Sequence, residues 1–400
     1  MRVERAVLTN GLRLVVIPEP TQSEVAITMR YSAGDADDPV GREGLAHLAE
    51  HVLFEPILAP LESGATAFNG YTTPDSTLYV AHAQPDQLGA LLGIEAKRMR
   101  TTCDEISATA FERQREVVRN ELRERQEADA IHFALATALF GTGHPFARLS
   151  SATTVAAITR DEVCAFVAQH YAPSNAVLVV SGRTTLSEVR PIVETAFGGL
   201  PSRPVSSPKL AAPAGPHHIE LEAPVDREWI LLAWPMPVEP ARRARLRAVA
   251  EMVTAIIRAH LNGIVGTVEL GAGDETMLAI AVSPLEITAD DALASTKYGL
   301  THTNSWFGSG LYEYAANRAI HQYVAALEHD ESRDIALADE VASGRAADIN
   351  GSLELLRSMT RDQAQDLIGS ALDPDAATLV RLHPVRTAAR TSSPFVSTFR

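Results

Sequence analysis

The chain has 400 residues, 46% of them hydrophobic and 21% charged, enough to bury a large core and build two to four compact units. The 50 acidic residues outnumber the 35 basic ones, and the formal net charge of -15 repels nucleic-acid phosphates and anionic membrane surfaces. No segment reaches the roughly 18 apolar residues of a membrane span, and the opening MRVERAVLTNGLRLVV lacks a signal peptide's basic region and unbroken apolar run, so the expected location is the cytoplasm, without nucleic acid or membrane as partners.

In chain order, VLTNGLRLVVIPEP and SEVAITMRYSAG are β-rich runs separated by Pro and polar turn residues, and they read as neighbouring strands. GLAHLAEHVLFE (44–55) reads as a helix, and GYTTPDSTLYVAHA as a further strand. Pro85 to Arg100 and Ala108 to Ala138 have helical spacing. ITRDEVCAFVAQHYAPSNAVLVVSG then supplies a Thr-capped helix, a Pro/Asn turn and a hydrophobic strand. This order predicts an α+β fold in which helices pack on one face of an antiparallel-rich sheet. The two cysteines, Cys103 and Cys164, form no CxxC pair and read as buried free thiols, not as a disulfide or a thiolate metal site.

An internal comparison organises the chain further. MTRDQAQDLIGSALDPDAATLV (359–380) aligns without a gap on ITRDEVCAFVAQHYAPSNAVLV (158–179), an offset of 201, which argues for a duplicated unit. The Pro/Ser/Gly-rich stretch LPSRPVSSPKLAAPAGP (200–216) reads as a linker, giving homologous halves at 1–199 and 217–400. At the same offset LAHLAEHV falls on LRAVAEMV, so Leu45, Ala49, Glu50 and Val52 keep their types while His47 and His51 become Ala248 and Met252. A helix of this shape therefore packs without imidazoles, and the first half's histidines need another explanation.

Side chains four apart on a helix share a face, so His47 and His51 can converge on one ion. Glu50, beside His51, is placed to take a proton from a water on that ion. Imidazole and carboxylate suit zinc, and a catalytic zinc site has three protein ligands. HxxEH mirrors HExxH, in which the base follows the first histidine. The third ligand must come from elsewhere, and the helix AFERQREVVRNELRERQEADA offers Glu112, Glu116, Glu121, Glu124 and Glu127, among which spacing alone does not choose.

With LTNGLRLVVIPEP, YSAGDADDPVGREGLAHLAEHVLFE, FNGYTTPDSTLYV, REVVRNEL and HYAPSNAVLVVSGRT in this order, the chain resembles, over nearly its whole length, the HxxEH inverzincin peptidases of the pitrilysin, insulin-degrading enzyme and mitochondrial processing peptidase type. The resemblance implies two homologous α+β halves facing each other across a cavity, with zinc held in the first half by His47, His51 and Glu121 and with Glu50 as the catalytic base. Where the family often has an acidic residue seven before the third ligand, this chain has Gln114. The resemblance also implies that an extended peptide adds to a sheet edge near Asn69, Gly70 and Tyr71, although Asn69 reads equally as a turn residue before Gly70.

The activity so implied is that of a zinc-dependent endopeptidase acting on small peptides or on precursor and leader peptides. Family members usually supply an Arg and a Tyr from a stretch resembling R-E-x-x-G-L-A-Y. Here IIRAHLNGIVGTVELGAGDETMLAIAVSP has no such Tyr and only Arg258, while Tyr312 and Tyr314 come later. A heterodimer follows as the expectation, with a homologous partner chain contributing those groups. The competing readings are a non-catalytic structural or peptide-binding subunit and a purely structural metal site, which normally has four closed ligands. His144 and His170 read as packing or turn residues, and His217 and His218 as exposed ones.

Overall fold

A computed structural model describes residues 1–124, 126–205, 217–271, 276–308, 310–342 and 349–385. Most of the stretch read as a linker, 206–216, lies outside the described residues.

The strands are β1 (Glu4–Val7), β2 (Arg13–Pro18), β3 (Val25–Tyr31), β4 (Ala67–Thr72), β5 (Thr77–Ala83), β6 (Ala176–Gly182), β7 (His218–Ala223), β8 (Trp229–Pro235), β9 (Gly263–Leu270), β10 (Met277–Pro284) and β11 (Thr378–Pro384). The α-helices of the first half are α1 (Leu45–Phe54), α2 (Leu58–Gly64), α3 (Leu88–Met99), α4 (Ala108–Glu124), α5 (Gln126–Phe140), α6 (Ala152–Ala156), α7 (Arg160–His170) and α8 (Leu186–Phe197). Those of the second are α9 (Pro240–His260), α10 (Ala289–Thr301), α11 (Thr303–Trp306), α12 (Leu311–Glu328), α13 (Asp330–Ala342), α14 (Ile349–Ser358) and α15 (Arg361–Ala371). The helical run expected from Ala108 to Ala138 is thus two helices, α4 and α5.

Two sheets carry the fold, ordered β1-β2-β6-β3-β5-β4 and β7-β11-β8-β10-β9. The second repeats the first without its outermost strand, down to the single parallel pair, β2 with β6 and β7 with β11. The runs read as neighbouring strands, β2 and β3, are not neighbours: β6 lies between them and pairs with both. Its sequence AVLVVSG is buried along its whole length, and a strand apolar on both sides belongs in the middle of a sheet covered on both faces.

One face of each sheet is covered by helices of its own half, and the other by a single helix from the opposite half. In α5, Ile131, Leu135 and Leu139 pack on Leu231, Ala279 and Leu382 of the second sheet. In α13, Leu337 and Ala338 pack on Val15, Ile17, Val177 and Val179 of the first. α5 and α13 occupy corresponding places in the repeat, so the exchange is reciprocal.

The start of α1 is set by a side chain outside it. Gly44, at φ 97°, turns the chain into the helix, and the buried Asp38 carboxylate accepts from the N–H groups of Gly44 (2.6 Å), Leu45 (3.1 Å) and Ala46 (2.8 Å). Those first-turn donors have no partner within the helix, and the carboxylate also matches the positive end of the helix dipole.

The cysteines correct the sequence reading: Cys103, just after α3, and Cys164, in α7, form a disulfide, and no free thiol remains. Their Cα atoms are 5.2 Å apart, within disulfide reach. Proximity comes from α7 docking beside the end of α3, which sequence separation does not reveal.

Asp38→Ala is expected to lower stability by about 2 kcal/mol or more by stranding buried donors, read as a lower urea midpoint at unchanged slope; an unchanged midpoint contradicts this capping role. Thiol titration of the unfolded, unreduced chain is expected to find no reactive cysteine, and two reactive thiols would restore the free-thiol reading.

Candidate metal centre

α1 buries Leu45, Leu48, Ala49, Val52 and Leu53 against the first sheet and its neighbouring helices. This fixes the rotation of the helix and turns His47 and His51 together toward α4. There Ala110, Phe111 and Val118 are buried, which presents Glu121, a turn further on, to the two rings. His47 Nε2 lies 3.3 Å and His51 Nε2 3.4 Å from Glu121 Oε2. The ligand atoms of all three lie within 4.8 Å of one another, and among the described residues no other His, Cys, Asp or Glu trio is so placed. Of the five glutamates that spacing left open, Glu121 is the one the fold brings to the pair.

The electrostatics favour a cation. Burial opposes a charge on His47, yet its hydrogen bond to Glu121 and the nearby Glu50 and Asp35 carboxylates outweigh that cost and raise its pKa. Two imidazoles and a carboxylate around a small, partly open space match the three-ligand donor set of zinc.

The residues behind the ligands are less evident from sequence. His51 Nδ1 donates to Gln114 Oε1 (3.3 Å), which leaves Nε2 free to face Glu121 and fixes the ring's orientation. The Gln114 amide in turn donates to Glu55, which also pairs with Arg113. The position that is often acidic in the family thus works through an amide, with the acid one step further out. Glu55 closes the stretch GLAHLAEHVLFE, but its spacing gave no signal for this role. Beneath α1, Arg98 makes a two-pronged pair with Glu95 (3.0 Å for each bond). Its guanidinium lies over the rings of Tyr79 (3.7 Å) and Phe54 (4.6 Å) and donates to Leu53 O. Hydrogen bonds and ring faces compensate this otherwise costly buried charge.

Glu50 is buried, and Thr72 Oγ1 donates to its Oε2 (2.8 Å). Its other oxygen lies against Gly70, where a Cβ would come 2.6 Å from Oε1. Successive residues of a strand face opposite sides. Gly70 and Thr72 therefore reach the Glu50 side, while Asn69 and Tyr71 project to the other side, toward α13. β4, which carries all four, is the edge strand of its sheet.

The remaining candidates lie elsewhere. The Arg258 guanidinium donates to Val265 O, Tyr312 donates to Met359 O, and Tyr314 is exposed. His144 accepts from the N–H of Phe146 and stacks on Phe140, a turn role; His170 is buried beside Phe166; His218 pairs with Glu220. The second half keeps a counterpart of the Glu50–Thr72 contact, with Thr267 Oγ1 donating to Glu251 Oε1 (2.7 Å). At the 201 offset, Ala248, Met252 and Gln322 stand where the first half has His47, His51 and Glu121.

Two family models match the chain: "Insulinase (Peptidase family M16)" over residues 13–151, and "Peptidase M16 inactive domain" over 157–254. The probable mitochondrial-processing peptidase subunit beta of Schizosaccharomyces pombe is 27% identical over 229 residues, 54% of this chain and 49% of that protein. Coenzyme PQQ synthesis protein F of Pseudomonas aeruginosa is 30% identical over 224 residues, 52% of this chain and 28% of that protein. The match thus spans half or less of these curated relatives. In fold, the chain is similar to a protease from Helicobacter pylori, with TM-score 0.81 and 16% identity over 96% of this chain and 99% of that one. It is also similar to an M16 inactive-domain structure from Pseudomonas fluorescens, with TM-score 0.76 and 17% identity over 98% and 99%. The two family models together match more than half of the chain, and the HxxEH helix lies inside the first; the chain belongs to the insulinase family of peptidases, M16.

Proposed function

We propose that the chain is a zinc-dependent endopeptidase that hydrolyses peptide bonds in small peptides or in precursor and leader peptides, as the catalytic subunit of a heterodimer. The observation that carries this reading is the meeting of His47, His51 and Glu121 around one point with the buried Glu50 alongside. Zinc held by those three side chains would polarise a scissile carbonyl and make a water molecule more acidic. Thr72 fixes one Glu50 oxygen, so the other, beside Gly70, accepts the proton of the attacking water and returns it to the amide nitrogen as the C–N bond breaks. The free side of β4 receives the peptide as an added strand, recognised through its main chain.

The heterodimer is supported by the positions of Arg258 and Tyr312, whose hydrogen-bond partners lie in the second half, by the exposure of Tyr314, and by the subunit name of the Schizosaccharomyces pombe relative. The second reading, a non-catalytic subunit, is favoured by the inactive-domain match, but that match begins at residue 157, after His47, Glu50, His51, Gly70, Thr72 and Glu121. No described helix is long and apolar enough to cross a membrane. The disulfide favours an oxidising compartment over the cytoplasm.

Glu50→Gln is expected to retain one zinc per chain by metal analysis while casein cleavage falls about a thousand-fold; cleavage at the original rate removes Glu50 from the chemistry. Gln114→Ala is expected to weaken zinc about tenfold in chelator competition by loosening His51, and unchanged affinity makes Gln114 a bystander. Casein cleavage is expected to be slow for the isolated chain and to rise on co-expression with a homologous partner. A chain that binds no zinc, and stays inactive with the partner present, supports the non-catalytic reading.

A further inference from the structure

The side of β4 turned away from Glu50 is bonded to the second half. Asn69 Nδ2 donates to Tyr71 Oη (2.9 Å), and Tyr71 Oη donates to Glu331 Oε1 (2.5 Å) in the first turn of α13. Asn69 Oδ1 meanwhile accepts from the N–H of Gly70 (2.9 Å), the residue against which Glu50 rests. A line of hydrogen bonds therefore runs from α13 through the edge strand to the residue beside the Glu50 carboxylate.

The helix holding Glu331 is firmly placed. Arg333, only 2% exposed, donates to Asp334 Oδ1 (2.9 Å) and to Glu19 Oε1 (2.8 Å), and Asp334 accepts from Ser181 on β6. Further along, Arg30 of β3, 4% exposed, donates to Asp339 (2.5 Å), and Arg13 of β2 donates to Val341 O and Ala342 O (3.1 Å each). Charged groups buried this deeply tolerate little displacement, because each shift strands a partner. The corresponding helix α5 has mainly apolar contacts with the second sheet.

We infer that Glu331 is a positioning residue for the substrate: through the Tyr71 phenol it orients Asn69 and the β4 edge, so that the second half sets how tightly the first half holds a peptide strand. This rests on the reading of β4 as the strand to which the peptide adds.

The test compares Tyr71→Phe, Glu331→Ala, Glu331→Gln and the Tyr71→Phe/Glu331→Ala pair, using fluorescein-labelled casein and the zinc-loaded chain with its partner. Each of Tyr71→Phe and Glu331→Ala is expected to raise KM about fivefold with kcat nearly unchanged, the size of one partly exposed hydrogen bond to a carboxylate. The double variant is expected to lose no more than either single one, Glu331→Gln to restore KM by accepting from the phenol, and zinc content to stay at one per chain. In the Glu50→Gln background the same variants are expected to weaken casein binding, read by fluorescence anisotropy, by the same factor. Additive losses, a loss confined to kcat, failure of Glu331→Gln to rescue, or unchanged KM overturn the inference while leaving the peptidase reading intact. A parent chain that neither binds nor cleaves casein with its partner overturns both.

Discussion

Everything at the candidate metal centre depends on the rotational setting of one ten-residue helix, α1. If it turned by a single residue, about 100°, the imidazoles would face the sheet and the packing stripe would face α4. Three features hold the setting. Asp38 clamps the first turn, five buried aliphatic side chains fill the sheet side, and Arg98 grips the last-turn carbonyl of Leu53 from below. None of them belongs to the converging trio of His47, His51 and Glu121, yet each bears on whether the three can converge.

The reciprocal exchange of α5 and α13 makes the two halves depend on each other for a closed core. Without α13, the apolar far face of the first sheet, Val15, Ile17, Val177 and Val179, would be open to water; without α5 the same holds for Leu231, Ala279 and Leu382. Hydrophobic faces of this kind associate strongly. The apolar seam of α5 can adjust, whereas the ionic seam of α13 has one register, fixed by Arg30, Arg333 and their carboxylates.

Much of this was legible in the sequence. Hydrophobic runs located β2, β3 and β6, while GYTTPDSTLYVAHA, read as one strand, holds the end of β4 and all of β5; the offset of 201 pointed to the repeat, and HxxEH marked the face on which the two histidines meet Glu121, because helical spacing is local. Order within the sheet was not legible, since β6 comes late in the chain and its central place follows only from burial on both sides. Spacing could not separate Glu121 from its neighbouring glutamates, which are chemically alike and differ only in which face of α4 they occupy; the family resemblance separated them. The disulfide, Glu55 behind Gln114, and Thr72 on Glu50 all arise from contacts between elements distant in sequence. The alternation along β4 also divides the expected substrate stretch, with Gly70 on one side and Asn69 and Tyr71 on the other.

The repeat contains its own control. On α9 the glutamate persists as Glu251, which again accepts from a threonine, Thr267 of β9, but alanine and methionine replace the imidazoles, and the counterpart of Glu121 is the amide Gln322. A carboxylate facing no cation in a half-buried space is costly, and the half without the imidazoles has the uncharged amide of Gln322 where the first has Glu121. The acid at Glu121 is thus tied to what it faces: within one polypeptide, the two copies record the same helix pair with its electrostatic reason for an anion and without it.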